Sequence, residues 1–421
     1  NSENLLTHSL LERFSQYSRN LLLLHGPESQ SASAIAARKG AEALSIFNST
    51  RELFADQGLE CVSHLTRGDG QFSTSYAARM LGFARDNQVP AILSNAVRML
   101  DRDDGPVADV LDAARKLVPL SNKSVSRQNS EAYFKASSEM SFLADEISRL
   151  AGERDGRLLL NTTEDWAERS LLSPRKDIGI GAIHLPDAAA LGAKNHSELA
   201  TQLRSRCEVG LSRRYVGSKS VVAASRLEEE LSAIRTLGYE SYFLTVADIT
   251  DLARSKGIRV AARGSGAGSL ICHVLGISGV EPITHGLLME RFCSPLRGEL
   301  PDIDIDVESA RRLEIYDAIF EKYGQRCATV SMVETYRSRH AIRDVGAALG
   351  ISPMEIDLIA KSMPHIRSSN IPKALANLPE LKDLNLNTPI LKIAIELAGR
   401  LDSLPRHLSM HPCAIVLSDL G

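Results

Sequence analysis

The run Pro301-Asp302-Ile303-Asp304-Ile305-Asp306-Val307 places a carboxylate at every second position. In an extended strand successive side chains alternate faces, so Asp302, Asp304 and Asp306 share one face while Ile303, Ile305 and Val307 turn toward a core. Three carboxylates on one face repel one another unless something cationic neutralises them. Magnesium suits the role, being a hard cation that prefers oxygen ligands. Two such ions activate an attacking hydroxyl and stabilise a leaving pyrophosphate. The plainer alternative is an exposed edge strand with a solvated acidic face. Against it, aspartate is a poor strand former, and its alternation needs a reason.

A second group lies upstream, in Arg263-Gly264-Ser265-Gly266-Ala267-Gly268-Ser269. It follows an apolar segment that reads as a strand and precedes one that reads as a helix. Small residues let backbone N–H groups approach a phosphate, and a helix N-terminus adds a favourable dipole. Arg263 can pair with phosphate oxygens as a fork. Neither the Walker A spacing nor the dinucleotide fingerprint is present, and tight glycine turns are common in proteins that bind no phosphate. The order of parts (glycine–serine turn, helix, strand with spaced aspartates) is what a nucleotidyl-transfer site requires. In that layout the turn would hold a triphosphate and the aspartates would hold the metals.

A third group is Arg337, Arg339 and Arg343. Arg339 and Arg343 are four apart and share a helix face, which suits contact with DNA phosphates or a triphosphate. The alternative is a solvated basic face paired with acids such as Asp344. His407 and His411 are also four apart, a spacing that permits one helix face, but no third ligand accompanies them and zinc is rejected.

These groups need elements to position them. Residues 1–120 alternate strand-like and helix-like segments. Asn20–His25, Leu59–Leu65 and Val89–Ser94 read as strands, and Ser73–Asn87 and Val107–Leu117 as helices, an α/β pattern. The stretch 121–130 reads as a loop, 137–151 as a helix, and 155–180 as irregular around Trp166. Residues 178–187 read as a strand entering a new domain. Leu227, Leu231, Ile234 and Leu237 mark a helix closed by Gly238. Phe243 to Ala253 mark another, ended by Gly257. Ile258–Ala262 reads as a strand, Leu270–Leu275 as a helix, Leu300–Val307 as a strand, Ala310–Tyr323 as a helix and Ala328–Met332 as a strand. Residues 334–405 read as wholly helical.

Composition sets outer bounds. The chain of 421 residues is long enough for two or three domains. Its net charge of −3 argues against a generic nucleic-acid coat but leaves local basic stripes open. No apolar run approaches the roughly 18 residues that span a bilayer, so no membrane partner is expected. The six cysteines form no CxxC pair and suit a reducing cytoplasm.

Together these residues resemble the bacterial C-family DNA polymerases, the alpha subunit of DNA polymerase III. The resemblance is carried by Tyr242-Phe243-Leu244, Arg263 to Leu270, Leu275-Gly276-Ile277, Glu290-Arg291-Phe292, Pro301 to Asp306, and Ile342-Arg343-Asp344-Val345-Gly346. It covers residues 220–350 strongly and extends weakly to both ends. Asp306-Val307-Glu308-Ser309, Arg311-Arg312, Thr335-Tyr336-Arg337 and Arg406-His407-Leu408-Ser409 before His411 are closer to the error-prone, alpha-like branch.

The resemblance implies an α/β and α+β multidomain chain. Residues 1–177 are a partial domain of the polymerase-and-histidinol-phosphatase (PHP) fold. Residues 178–333 are a palm related to the polymerase-beta type, 334–410 a helical thumb, and 411–421 a return to the palm. It implies that Asp302 and Asp304 are catalytic metal ligands for Mg²⁺, with Asp306 the third acid of the run and a further candidate ligand. Arg263, Gly264, Ser265, Gly266 and Ser269 bind nucleotide, and Arg337, Arg339, Arg343, Arg406 and His411 contact DNA or triphosphate. In metal-binding PHP domains an Asp and a His stand where Ala96 and Arg98 stand here, so no phosphoesterase or proofreading activity is expected. The family's third catalytic aspartate lies beyond the segment resembling 406–418. The activity implied is template-directed addition of dNMP to a primer 3′ end, in error-prone replication and repair, with primer–template DNA and dNTP as partners. The sliding clamp and other polymerase subunits would bind through regions outside this chain. The chain alone is expected to be inactive. Two alternatives are a truncated, non-catalytic DNA-binding paralogue or scaffold, and a nucleotidyltransferase of small substrates. The helical segment 334–410 argues against the latter.

Overall fold

In the computed structural model the described residues are 8–122, 128–289, 293, 300–301, 303–378, 381 and 387–419. The chain divides into two compact units. Unit 1 comprises residues 1–172 and 334–407, and unit 2 comprises residues 173–333 and 408–421.

Unit 1 begins with a three-stranded parallel sheet in the order β1 (Leu23–His25), β2 (Gln57–Val62), β3 (Ala91–Ser94). Central β2 is buried along most of its length because both its faces are covered, as parallel sheets require. Helix α1 (Gly40–Arg51) joins β1 to β2, and α2 (Thr74–Asp86) joins β2 to β3. Ser73 caps α2 by accepting a hydrogen bond from the Tyr76 amide at 3.1 Å, and Ala77, Met80, Leu81 and Ala84 form the buried stripe the sequence predicts. Helices α3 (Gly105–Lys116) and α4 (Ser137–Leu150) follow.

The stretch read as irregular is instead a helix, α5 (Arg157–Arg169). Its sequence Asn161-Thr-Thr-Glu-Asp165 has weak helix propensity, but Leu159 and Trp166, seven residues apart, both fall on the buried side. Two anchors two turns apart are enough, since packing of one face stabilises a helix more than propensity does. Thr163 helps to dock it. Its hydroxyl donates to the Leu159 carbonyl at 2.7 Å and accepts from the Leu93 amide of β3 at 2.8 Å. The indole approaches β2 so closely that a Cβ on Gly58 would stand 3.0 Å from both Trp166 Cη2 and the Pro90 carbonyl oxygen.

Unit 2 is built on three long helices, α6 (His196–Arg214), α7 (Ser218–Leu237) and α8 (Glu240–Ser255). The predicted strand at 178–187 is absent. Gly179 and Gly181 take φ of +71° and +90°, which breaks an extended run, and Ile178, Ile180 and Ile183 remain exposed. After α8 come β4 (Val260–Arg263), a 3₁₀ turn at Gly264–Gly268, and the short helix α9 (Leu270–Val274). Then follow β5 (Asp304–Val307), α10 (Arg312–Tyr323) and β6 (Cys327–Thr335).

The segment expected to be wholly helical returns the chain to unit 1 as α11 (Ser338–Ala348), α12 (Pro353–Ser362), α13 (Ile371–Asn377) and α14 (Pro389–Arg400). Strands flank it, however, because β6 runs on to Thr335 and β7 (Pro405–Leu417) starts at Pro405. His407 and His411 therefore lie on a strand and not on a helix. Val107, Val110 and Ala113 of α3 share one core with Val345, Ile359, Leu391 and Leu401, so α3 packs with these helices in unit 1.

Two small sheets complete the fold. β4 pairs antiparallel with β5, and β6 pairs with β7. In unit 2 one core gathers Ala253 of α8, Ile315, Ile319 and Tyr323 of α10, Val260, Val307 and Cys327, and Ile415 and Leu417 of β7. A second core joins α6 to α9 with Ile303 and Ile305. Among the described residues no helix is long and apolar enough to cross a membrane.

Candidate active site

The alternation expected of the acid run is present along β5. Asp304 and Asp306 are exposed, while Ile305 and Val307 are half-buried against the two cores of unit 2. The strand is held at its start by the Ile303 amide, which donates to the Tyr242 hydroxyl at 3.2 Å. Asp302 lies outside the described residues.

Antiparallel pairing carries the glycine turn to these acids. The register sets Arg263 opposite Asp304 and Ala261 opposite Asp306. The Arg263 guanidinium reaches diagonally to Asp306, Nη2 to Oδ1 at 3.3 Å, with both side chains mostly exposed. Gly264 begins the turn at φ +76°, and a Cβ there would stand 3.5 Å from Asp304 Oδ2. A side chain at this position would be strained by its backbone, and its Cβ would lie in ordinary contact with the carboxylate. Arg263, Gly264, Asp304 and Asp306 thus form one patch. Ser265 is exposed beside it, and Gly266 is buried in the turn.

Ser269 has a different place. It is fully buried, and its hydroxyl donates to Glu230 Oε2 at 2.9 Å. Glu230 Oε1 accepts from the Leu270 amide at 2.9 Å, and Oε2 accepts from the Ile271 amide at 3.0 Å. The Cys272 amide donates to Ser269 Oγ at 3.2 Å. The opening amides of α9, which the sequence reading offers to a phosphate, already have acceptors inside the protein. Arg226 completes the cluster, Nε to Glu230 Oε1 at 3.0 Å and Nη2 to the Gly268 carbonyl at 2.7 Å. The sequence reading passed over Glu230 and Arg226. Their signal was Glu230 itself, a charge three residues after Leu227 and one before Leu231, inside the apolar stripe of α7.

The basic candidates are mostly engaged. In unit 1, Arg339 Nε donates to the Met363 carbonyl at 2.8 Å, and Arg343 pairs with Asp357 at 2.7 Å. Arg406 forks onto Asp344, Nε to Oδ2 at 2.8 Å and Nη2 to Oδ1 at 3.3 Å, and the Tyr336 hydroxyl donates to the same carboxylate at 3.0 Å. Arg337 is exposed. His411 belongs to unit 2, where its Nδ1 accepts from the Cys413 amide at 3.1 Å. Arg98 pairs with Asp112 at 2.7 Å, and Ala96 takes φ +40°.

Among the described residues no cluster of three or more His, Cys, Asp or Glu side chains is arranged to hold a metal. Burial pushes the Cys61 and Cys207 thiols up to about 12, so neither is a thiolate nucleophile at neutral pH.

The sequence profile of the bacterial DNA polymerase III alpha NTPase domain matches residues 201–420, a span that contains the whole patch. This chain belongs to the bacterial DNA polymerase III alpha family. An error-prone DNA polymerase of Pseudomonas fluorescens is 32% identical over 354 residues, covering 83% of this chain and 32% of that protein. One of Pseudomonas aeruginosa is 41% identical over 221 residues, 52% of this chain and 21% of that protein. One of Burkholderia mallei is 43% identical over 210 residues, 50% of this chain and 20% of that protein. The chain therefore spans a third or less of the length of these relatives, and their names agree with the branch that Asp306-Val307-Glu308-Ser309 suggests.

Proposed function

We propose that this chain carries the triphosphate- and metal-binding part of a DNA-directed DNA polymerase of the error-prone branch. The observation that carries this reading is the contact of the Arg263–Gly264 turn with the acidic face of β5. The cation and the open turn suited to phosphate stand directly against the carboxylates suited to a metal.

The donor set fits a divalent cation. Asp304 and Asp306 offer hard oxygen ligands on one exposed face. Asp302 and Asp304 would hold Mg²⁺, and Asp306 would either join them or remain the counter-charge of Arg263. When bound, the metal neutralises charge at the attacking hydroxyl and the leaving pyrophosphate. The protein's own part is orientation. Arg263 pairs with phosphate oxygens, and Gly264 to Ala267 let the backbone approach them. Hydrophobic packing of Ile305 and Val307 fixes the strand that presents the acids. In this reading residues 1–177 are PHP-like, 178–333 and the strand after 410 form the palm, and 334–410 the thumb. Arg337 contacts the primer–template DNA.

The test is Mg²⁺-dependent primer extension by the complete reading frame that encodes this chain, with Asp302→Ala and Asp304→Ala beside wild type. Loss of extension in both supports the reading. Robust extension by both mutants sinks the metal-ligand assignment, and DNA binding without extension by the wild type favours the non-catalytic alternative.

A further inference from the structure

A glycine-rich turn can serve a phosphate only if its amides point consistently in one direction, and the glycines that permit the conformation do nothing to hold it. The structure contains a device that holds it. Glu230, whose side chain is 2% exposed, spans the junction between the turn and α9 with four hydrogen bonds, from Ser269 Oγ, the Leu270 and Ile271 amides, and Arg226 Nε. Arg226 extends the hold one residue back by donating to the Gly268 carbonyl at 2.7 Å. The pair sits i, i+4 on α7, a helix anchored in the core through Leu227, Leu231 and Ile234. A turn built from small residues is thus clamped at its C-terminal end by an ion pair on a neighbouring helix, its Glu230 buried and its Arg226 part-buried.

We propose that Glu230, with Arg226, is the positioning residue of the Gly264–Gly268 turn. It is a resident anion that satisfies the opening amides of α9 and confines an incoming triphosphate to Arg263 and the turn's own backbone. The proposal rests on the reading of the turn as a triphosphate site and adds a prohibition to it. The helix N-terminus, where a phosphate would ordinarily be sought, is closed. Glu230 touches neither substrate nor metal and acts only through the turn.

Two readouts separate this inference from the reading beneath it. The first is amide hydrogen exchange on the chain as it stands. In Glu230→Gln the amides of residues 264–272 exchange about tenfold faster or more, because a charged acceptor is lost from buried donors, while α8 and α10 exchange as in wild type. The second is steady-state primer extension by the complete reading frame. Glu230→Gln raises KM for dNTP about tenfold and changes kcat by less than about threefold, since a misplaced turn weakens a binding contact. A defect that merely unfolded part of the population would lower the apparent kcat and leave KM alone. Arg226→Lys keeps the charge but cannot bridge Glu230 and Gly268 together, and it gives a smaller shift of the same kind should Glu230→Gln fail to fold. Unchanged exchange at 264–272, or a KM at or below the wild-type value in either folded variant, overturns the proposal. Faster exchange in a protein whose wild type shows no dNTP-dependent extension leaves the clamp standing and removes the triphosphate reading instead.

Discussion

Two strand termini in this chain gather polar side chains and treat them in opposite ways. Along the parallel sheet in unit 1, from the start of β2 to the carboxyl end where ligands of open α/β sheets commonly bind, the polar groups bond inside the protein. His25 is buried, with Nδ1 2.8 Å from Ser31 Oγ and Nε2 3.1 Å from Gln57 Oε1. Asn95 Nδ2 donates to the carbonyls of Glu131 at 2.8 Å and Tyr133 at 2.6 Å, and Ser94 Oγ donates to Glu60 at 2.6 Å. His64 lies against Phe72 with rings nearly parallel, 4.9 Å between centroids. On β4 and β5 of unit 2, Asp304, Asp306 and Arg263 keep their charges at the surface. The difference is one of exposure: the unit 1 groups are met inside the protein, whereas Arg263 and Asp306 meet each other at the surface and Asp304 stands exposed beside them.

The largest effect should come from exchanging the roles of the two regions. We expect Asp304→Asn to lower primer extension by the complete reading frame about a thousandfold, the scale of losing a transition-state electrostatic contact. Stability should hold within about 0.5 kcal/mol because the side chain is exposed. Gln57→Leu should do the reverse. It strips an acceptor from Thr50 Oγ1 at 2.8 Å and from His25. The expected cost is about 1–3 kcal/mol for the buried groups left unpaired, with KM for dNTP unchanged. Urea unfolding followed by Trp166 fluorescence measures it, since that residue is the single tryptophan and lies in unit 1. A catalytic loss from Gln57→Leu equal to that of Asp304→Asn would erase the contrast.

A packing test comes next. Gly58→Ala drives a methyl group to 3.0 Å from Trp166 and the Pro90 carbonyl oxygen. Overpacking of this kind costs about 1–3 kcal/mol, and the same fluorescence transition should move to lower urea. An unchanged midpoint would show that α5 docks less firmly on the sheet than its two anchors indicate.

The internally bonded region also carries a pH signature. Burial holds the His25 imidazole below its ordinary value of 6.5, against a smaller opposing contribution from Gln57. Burial, then the Arg406 charge, does the same to His340, also in unit 1. A histidine with a lowered folded pKa binds fewer protons folded than unfolded. Its stabilisation is complete above 6.5 and declines as pH falls from 6.5 through the folded value. The unit 1 urea midpoint should therefore drop between neutral pH and mildly acid pH, and His25→Gln should flatten that slope. A midpoint rising on acidification would contradict the buried neutral imidazole.

Much of this was readable from residues, and the failures have physical causes. The acid run and the turn could be found because each is a local pattern: period 2 in one, small residues between a strand and a helix in the other. Their contact was expected only from the order of the parts, since strand register is a tertiary fact. Helix α5 was missed because two apolar anchors seven residues apart give too sparse a periodicity. The strand expected at 178–187 rested on apolar alternation, but Gly179 and Gly181 interrupt it, and among the described residues no strand pairs with it. Arg339 and Arg343 read as one basic helix face from their spacing, but the groups they meet, the Met363 carbonyl and Asp357, are set by the packing of α11 and α12 and not by the spacing. Glu230 shows the same limit in reverse. A lone charge in an apolar stripe announces a buried partner without saying what it is.

The smallest expected effect bears on Asp306, the residue whose role the comparison leaves sharpest. Its contact with Arg263 is an ion pair at 3.3 Å between side chains that are 69% and 59% exposed. Such pairs contribute between nothing and about 1 kcal/mol, so Asp306→Asn and Arg263→Gln should each leave stability nearly unchanged. Catalysis then separates two roles for the acid. If Asp306 only restrains Arg263, each substitution lowers dNTP affinity modestly, and the double mutant is no worse than Arg263→Gln alone, since the guanidinium is the only route by which the acid acts. If Asp306 also binds metal, Asp306→Asn costs as much as Asp304→Asn, and raising the Mg²⁺ concentration recovers part of the loss. The exposed guanidinium at 3.3 Å favours the first outcome. A magnesium-dependent rescue of Asp306→Asn would transfer the residue to the metal site and leave Arg263 with no acidic partner once the metal is bound.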